Sequence, residues 1–561
     1  MLFVLFILSL CTGQAFASHP PGQRLNDALV VDLTKHGFST ASEVAPKFVP
    51  ESADIPDIHQ NGKYLYLNWF LDIVGLTIYP EVESLSITPA QGHLDIQGAV
   101  RIAVNNPSNP ANVQFRYAGV KLTDCDMYIE PFNAYLQTKA YPSIVTDSQG
   151  RKRLHVFVGA VDWTWDLTGS HIKAQNCFLG SLDTVLDTIG ISIFGLAVGP
   201  LETAVDNQIR DLVDALGPTL EQAFNNLRLE RTFEFNGAQI DVLLEPDKVD
   251  VVSQGMRVSM AGRASADPHT CIGDKGTSGS KSTPSSPPNI STSPSFMPQH
   301  DVGLFGSDDF VNQVLYAAYR GGILCYDLEG QVGPLTLNTA VLGMLAPGAF
   351  DELFPQPKPV KISVRPVRPP EAKPDGVYDV TLEATDLSFE VYAELDGRMA
   401  NMIGIDIDAI VGADLLFNGT SGRLDLDIAL SGNNLSPKVR PNEIVPGIEG
   451  EIAQRFGGLF DSLAGPLIGD ALSGLSFTVP SFGGFGVTSL AADSAGPSQD
   501  WFGFYAHAGE VPYGSGGCTD DGGCDSGADG CAEGCNPIGA SGRGLALIVL
   551  PLIVASLRRR R

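Results

Sequence analysis

One amphipathic pattern occurs twice in this chain, and a duplication of that kind narrows the fold to two similar units. In residues 201–227 the apolar positions Leu201, Val205, Ile209, Leu212, Leu216, Leu220, Ala223, Phe224 and Leu227 recur every three or four residues, which puts them on one helix face. Pro218 interrupts the pattern, because proline lacks an N–H and crowds the preceding turn. The stretch Leu459-Phe460-Asp461-Ser462-Leu463-Ala464-Gly465-Pro466 repeats Leu212-Val213-Asp214-Ala215-Leu216-Gly217-Pro218 with one residue inserted. Beyond each proline, Leu220, Ala223, Phe224 and Leu227 are matched by Ile468, Ala471, Leu472 and Leu475. The two prolines are 466 − 218 = 248 positions apart, too long a period for a solenoid and suited to two domains. The second long helix is expected over 443–475.

Between the helical segments the periodicity falls to two. In 93–104 the residues Leu94, Ile96, Val100, Ile102 and Val104 alternate with polar positions, as in a half-buried strand. Residues 154–167 read as another long strand with Trp163 and Trp165 on one face, and 228–264 returns to strand character. Later, Tyr378, Val380, Leu382 and Ala384, then Leu387, Phe389, Val391, Ala393 and Leu395, alternate with Asp, Glu, Thr and Ser. No helical pattern separates neighbouring strands, so the sheets are expected to be antiparallel. Residues 26–42 read as helical at first, with Leu29, Val30 and Leu33 on one side, and a short helix is expected over 307–320. Residues 276–298 are Ser, Thr, Pro, Gly and Lys with little that is apolar, which predicts a flexible linker within 265–300.

The ends of the chain differ from its body. Residues 1–17 form an apolar run closing on Ala15-Phe16-Ala17, which reads as a secretory signal peptide cleaved after Ala17. A lipoprotein signal at Cys11 competes with it, but Leu10 is too large for the position before the cysteine. Residues 510–542 are rich in Gly, Asp and Cys. Within 543–561 an apolar run of 14 residues, 544–557, precedes four arginines. That run is shorter than the ~20 residues an upright span needs, yet its terminal place and basic flank suit a membrane anchor. Export permits disulfides. Cys125, Cys177, Cys271 and Cys325 allow three pairings, of which Cys125 with Cys177 and Cys271 with Cys325 is the most local.

Chemistry is sparse. The chain has no G-x-S-x-G, H-E-x-x-H or Walker loop, and its nine histidines are scattered singly, so no catalytic residue, metal ligand or cofactor is expected. Asp406 with Asp408, and Asp425 with Asp427, are spaced i, i+2 on strands, as solvated faces are. Cys518, Cys524, Cys531 and Cys535 lack the paired spacing of a zinc site. A formal charge of −28 opposes binding to nucleic acid, or to anionic headgroups by bulk attraction.

Residues 28–42, Ala-Leu-Val-Val-Asp-Leu-Thr-Lys-His-Gly-Phe-Ser-Thr-Ala-Ser, resemble the opening of the family of bactericidal/permeability-increasing, lipopolysaccharide-binding and cholesteryl ester transfer proteins. Residues 307–324 resemble the segment that opens that family's second domain, and 500–507 its last strand. The resemblance implies an α+β chain of two tandem tubular lipid-binding domains, 18–264 and 301–509. Each would be a long amphipathic helix wrapped by a twisted antiparallel sheet, the two joined through a central sheet into a boomerang. It also implies one disulfide in the first domain, for which Cys125 and Cys177 are the match; a second bridge would be a departure. The tail resembles myxobacterial-type sorting segments, with Gly534-Cys535 as the processing site. The function implied is an exported, cell-surface or outer-membrane-associated lipid binder or transfer protein. Its partners would be phospholipid or another acyl-chain lipid, plus the membrane through the C-terminal segment, and not nucleic acid. Leu201, Val205, Ile209, Leu212, Leu216, Phe456, Leu459 and Leu463 would line its pockets. A structural or adhesive surface protein that keeps the fold without lipid is the other reading.

Overall fold

A computed structural model describes residues 22–44, 46, 51–64, 66–176, 228–235, 238–272, 286–332, 335–374, 378–429, 435–464, 477–478 and 485–511. Among these, the chain is mostly antiparallel sheet with few helices. The helices are α1 (Lys35–Val44), α2 (Asp308–Arg320), α3 (Ala340–Leu345) and α4 (Glu449–Ala464).

A seven-stranded central sheet takes strands from both halves of the chain. Its order is Leu229–Phe235, Ala238–Val252, Gly255–Ala266, Leu25–Thr34, Val302–Ser307, Trp501–Glu510 and Phe485–Ala495. The halves meet where Leu25–Thr34 runs antiparallel to Val302–Ser307, with Val30 opposite Phe305. A ten-stranded sheet is built from residues 53–175 around the long Val120–Thr146 strand, and an eight-stranded sheet lies around Val380–Leu395 and Arg398–Asn418.

The helix expected from residue 26 is instead a strand as far as Thr34, and α1 begins at Lys35. Leu25–Thr34 sits between two strands and is buried on both faces, so it carries no polar alternation. Leu29, Val31 and Leu33 enter one core cluster while Val30 enters another. The expected strand over 154–167 is two strands, Lys152–Val158 and Asp162–Trp165, both paired with Val120–Thr146. Between them the Gly159 N–H donates to the Lys139 carbonyl (2.8 Å). Trp163 and Trp165 do share a face, their rings stacked at 6.2 Å.

In Val380–Leu395 the inward positions change from even to odd numbers after Ala384. The register shift between Ala384 and Leu387 accounts for it: Asp386 takes φ 58° there and re-phases the pleat. α4 begins at Glu449, later than the expected 443, because the Asn442 Oδ1 accepts the N–H groups of Ile444 and Val445 and holds a turn. The described part of the expected flexible linker, 286–300, has no helix or strand, is mostly exposed, and touches the fold at a few points. The Pro288 carbonyl accepts from Arg257, and Met297 and His300 are buried.

α2 is almost wholly buried and clamps both halves through its amides. Gln313 accepts from the Ala264 N–H (2.8 Å) and donates to the Gln23 carbonyl (2.9 Å). Asn312 bonds both backbone groups of Ala372. Cys271 is disulfide-bonded to Cys325, just past the end of α2, with Cα atoms 6.5 Å apart. The bridge closes a loop of 54 residues, for which the chain-entropy model gives ~4 kcal/mol and experience about 2–4 kcal/mol. The double variant Cys271→Ser/Cys325→Ser is therefore expected to lower the urea midpoint by that equivalent, and a midpoint unchanged from wild type would reject the contribution.

Candidate functional site

Two neighbouring hairpins of the ten-stranded sheet end in an apolar and basic tip. Ile58–Tyr64 pairs with Leu67–Val74, and Ala111–Tyr117 pairs with the start of Val120–Thr146. Trp69 lies opposite Tyr117 and Phe70 opposite Arg116, so the two turns sit side by side, joined by an Ala118 N–H to Asn68 carbonyl bond of 2.9 Å. Ala118 (φ 50°) and Gly119 (φ 81°) both take positive φ, the twist a two-residue hairpin turn needs.

Along these strands the pleat divides the side chains. Leu71, Ile73, Val113 and Phe115 point inward and are buried. Trp69 packs on that core, stacked on Phe115 at 6.4 Å. Gly62 makes room for it, since a Cβ there would lie 2.6 Å from the indole. At the tip the burial reverses: Tyr66 is 99% exposed, Val120 60%, Leu67 45% and Phe70 43%. Residues 60–70 and 115–123 hold Lys63, Arg116 and Lys121 and no Asp or Glu, three positive charges on a chain of net −28. Lys121 reaches back to Asp124 (2.5 Å) and holds that carboxyl below its ordinary range.

Sequence reasoning missed this tip, although its signal is local. Apart from Asn68, apolar and basic residues occupy 63–70, and none of 63–67 is the Gly, Asn or Asp that a hairpin turn usually carries. Of the residues expected to line lipid, Leu201, Val205, Ile209, Leu212 and Leu216 lie outside the described residues, as do Cys177, Ala17, Gly534 and Cys535. Cys125 is a buried, disulfide-bonded cysteine. Phe456 and Leu459 are buried on the inner face of α4 against the eight-stranded sheet; Leu463 falls on α4, its side chain outside what is described. Asp406 and Asp408 pair with Arg440 and Lys438 across neighbouring segments, as solvated strand residues do.

No family model matches the chain, and no curated protein matches it. Among the solved structures similar to this chain at low identity are two that cover most of it. A lipopolysaccharide binding protein shares 15% identity at a TM-score of 0.45, over 87% of this chain and 100% of that one. P47 of Clostridium botulinum E1 shares 9% at a TM-score of 0.28, over 86% of this chain and 98% of that one. At those values the likenesses assign no residue of this chain a role.

Proposed function

We propose that this protein binds lipid, seating the hairpin tip on a lipid surface and taking an acyl chain against apolar faces inside the fold. The observation that carries the reading is the tip itself. Tyr66, Leu67, Phe70 and Val120 expose apolar surface that the protein leaves in water, and Lys63 and Arg116 flank it where phosphate headgroups would lie, Lys121 being paired with Asp124. Aromatic and aliphatic side chains ringed by basic ones suit the boundary between acyl chains and headgroups. The net charge opposes long-range attraction, so binding rests on this local patch.

Acyl chains are assigned to the face carrying Leu201, Val205, Ile209, Leu212 and Leu216 in the first half and to that carrying Phe456, Leu459 and Leu463 in the second. The two tandem tubular domains belong to the same proposal. Export rests on residues 1–17 and is in keeping with the Cys271–Cys325 disulfide, which an oxidising compartment favours. Surface anchoring rests on 543–561.

Vesicle co-sedimentation tests the tip. The full chain is expected to bind vesicles of phosphatidylcholine with phosphatidylglycerol, and Tyr66→Ser/Phe70→Ser to weaken binding roughly 10–100-fold, the loss of a few kcal/mol of apolar burial. Organic extraction of the purified protein should also recover acyl lipid. Equal vesicle binding by the variant, with no lipid extracted, would favour the structural or adhesive reading.

A further inference from the structure

We propose that His36, Asp301 and His507 form a binding site for one zinc ion at the joint between the two halves. The inference stands apart from the lipid reading and uses none of its residues. The three come from distant parts of the chain: His36 from the first turn of α1, Asp301 from the residue before Val302–Ser307, and His507 from Trp501–Glu510. Their ligand atoms all lie within 4.8 Å of one another.

The backbone fixes Asp301 between its neighbours. Its N–H donates to the Ala506 carbonyl (2.9 Å), and its carbonyl accepts from the Thr34 N–H (3.0 Å). Gly37 lets α1 lie over it, since a Cβ there would come 2.4 Å from the Asp301 carbonyl oxygen. The carboxylate is 2% exposed. Its Oδ1 accepts from the Thr40 hydroxyl (2.7 Å) and lies 2.6 Å from His36 Nδ1. Its Oδ2 accepts from the Ala508 N–H (2.7 Å) and lies 3.6 Å from His507 Nδ1. Thr40 and Ala508 thus orient the carboxylate from behind, as the outer partners of metal ligands do.

Zinc suits both the donors and the spacing. With bonds of ~2.0–2.1 Å in tetrahedral geometry, neighbouring ligand atoms stand ~3.3 Å apart. Asp301 offers one oxygen to each imidazole, Oδ1 at 2.6 Å from His36 Nδ1 and Oδ2 at 3.6 Å from His507 Nδ1. With all the ligand atoms within 4.8 Å of one another, small side-chain rotations bring them around one ion. Two imidazoles and one carboxylate favour zinc over magnesium or calcium, which take oxygen ligands. His36 and His507 keep 44% and 31% of their side-chain surface exposed, which leaves a path for the ion and a fourth position for water. Among the described residues the other grouping of this kind, His269 with Cys271 and Cys325, has its sulfurs committed to the disulfide. A bound ion would tie α1 of the first half to the Trp501–Glu510 strand of the second.

The test is equilibrium dialysis of the chelator-stripped full chain against zinc at neutral pH, with the bound metal quantified and the melting transition followed. Wild type is expected to bind one equivalent more than His36→Ala or His507→Ala, and zinc should raise its Tm but not theirs. Both histidines are partly exposed, so near-UV circular dichroism of each variant is expected to match wild type and serves as the folding control. Thr40→Ala should keep the site but weaken it roughly 10–100-fold. Equal zinc stoichiometry and Tm response in wild type and both histidine variants would overturn the proposal. So would the absence of bound zinc in wild type, which would leave His36 and His507 as hydrogen-bond partners of Asp301 only.

Discussion

Arg257→Ala is expected to destabilise the protein by about 3–5 kcal/mol, the loss typical when one partner of a buried ion pair is removed. Asp32 and Arg257 face each other across the Leu25–Thr34 and Gly255–Ala266 strands, in the middle of the central sheet. The Asp32 side chain is 0% exposed and that of Arg257 12%. The guanidinium donates Nε to Oδ1 (2.7 Å) and Nη2 to Oδ2 (2.5 Å), and also to the Pro288 carbonyl. Truncation therefore leaves a buried carboxylate without its cation and a connecting segment without its donor.

The pH dependence separates this cause from simple loss of packing. Burial already raises the Asp32 pKa above its ordinary 3.8, while the hydrogen bond and charge of Arg257 hold it down. Without Arg257 the pKa must rise further. The folded variant then binds a proton that its unfolded chain releases, so its stability falls as pH rises through the gap between the two pKa values. The deficit relative to wild type should accordingly be largest well above the Asp32 pKa of the variant and shrink as the pH is lowered toward the ordinary carboxylate range, read from urea midpoints. Asp32→Asn/Arg257→Met, which removes both charges, should lose less than Arg257→Ala. A deficit below about 1 kcal/mol with no pH dependence would show that the pair holds no uncompensated charge.

What the sequence made legible was whatever sheet pairing leaves as a one-sided pattern. His93–Val104 and Val380–Leu395 alternate because one face meets the core and the other water, and the change of phase at Asp386 was visible as a switch from even to odd positions. Leu25–Thr34 was misread because a strand buried on both faces has no polar alternation. Its Leu29, Val30 and Leu33 also satisfy helical spacing. The central sheet itself is non-local, pairing residues near 30 with residues near 260 and 305, and no window of sequence contains that. The same holds for His36 and Asp301, which lie 265 positions apart and meet only because α1 folds back over the joint. The hairpin tip was legible in principle, since its apolar and basic residues are contiguous. What the sequence lacked was the pairing that sets two such tips side by side.

Phe456→Ala is expected to destabilise the lipid-free protein by about 3–5 kcal/mol and to lose less when acyl lipid is present. On α4, Ile452, Phe456 and Leu459 recur at helical spacing and point at the eight-stranded sheet, where all three are buried. The Phe456 ring is 0% exposed, meets Phe389 edge-to-face at 5.3 Å and lies 6.3 Å from Phe460. Leu342 and Leu345 of α3 belong to the same cluster. Alanine there removes six ring carbons from a closely packed interior that cannot collapse fully, so both the transfer and the cavity contributions are lost. If Phe456 also borders the space an acyl chain occupies, a flexible chain can enter the vacated volume, and ligand that binds the folded state more tightly restores part of the stability. The measurement is the urea midpoint of wild type and variant, each with lipid extracted and with a saturating fatty acid. An equal deficit in both conditions would assign Phe456 to the core alone and remove it from the lipid-lining set. A deficit under about 1 kcal/mol without lipid would mean that the ring is not closely packed against the sheet.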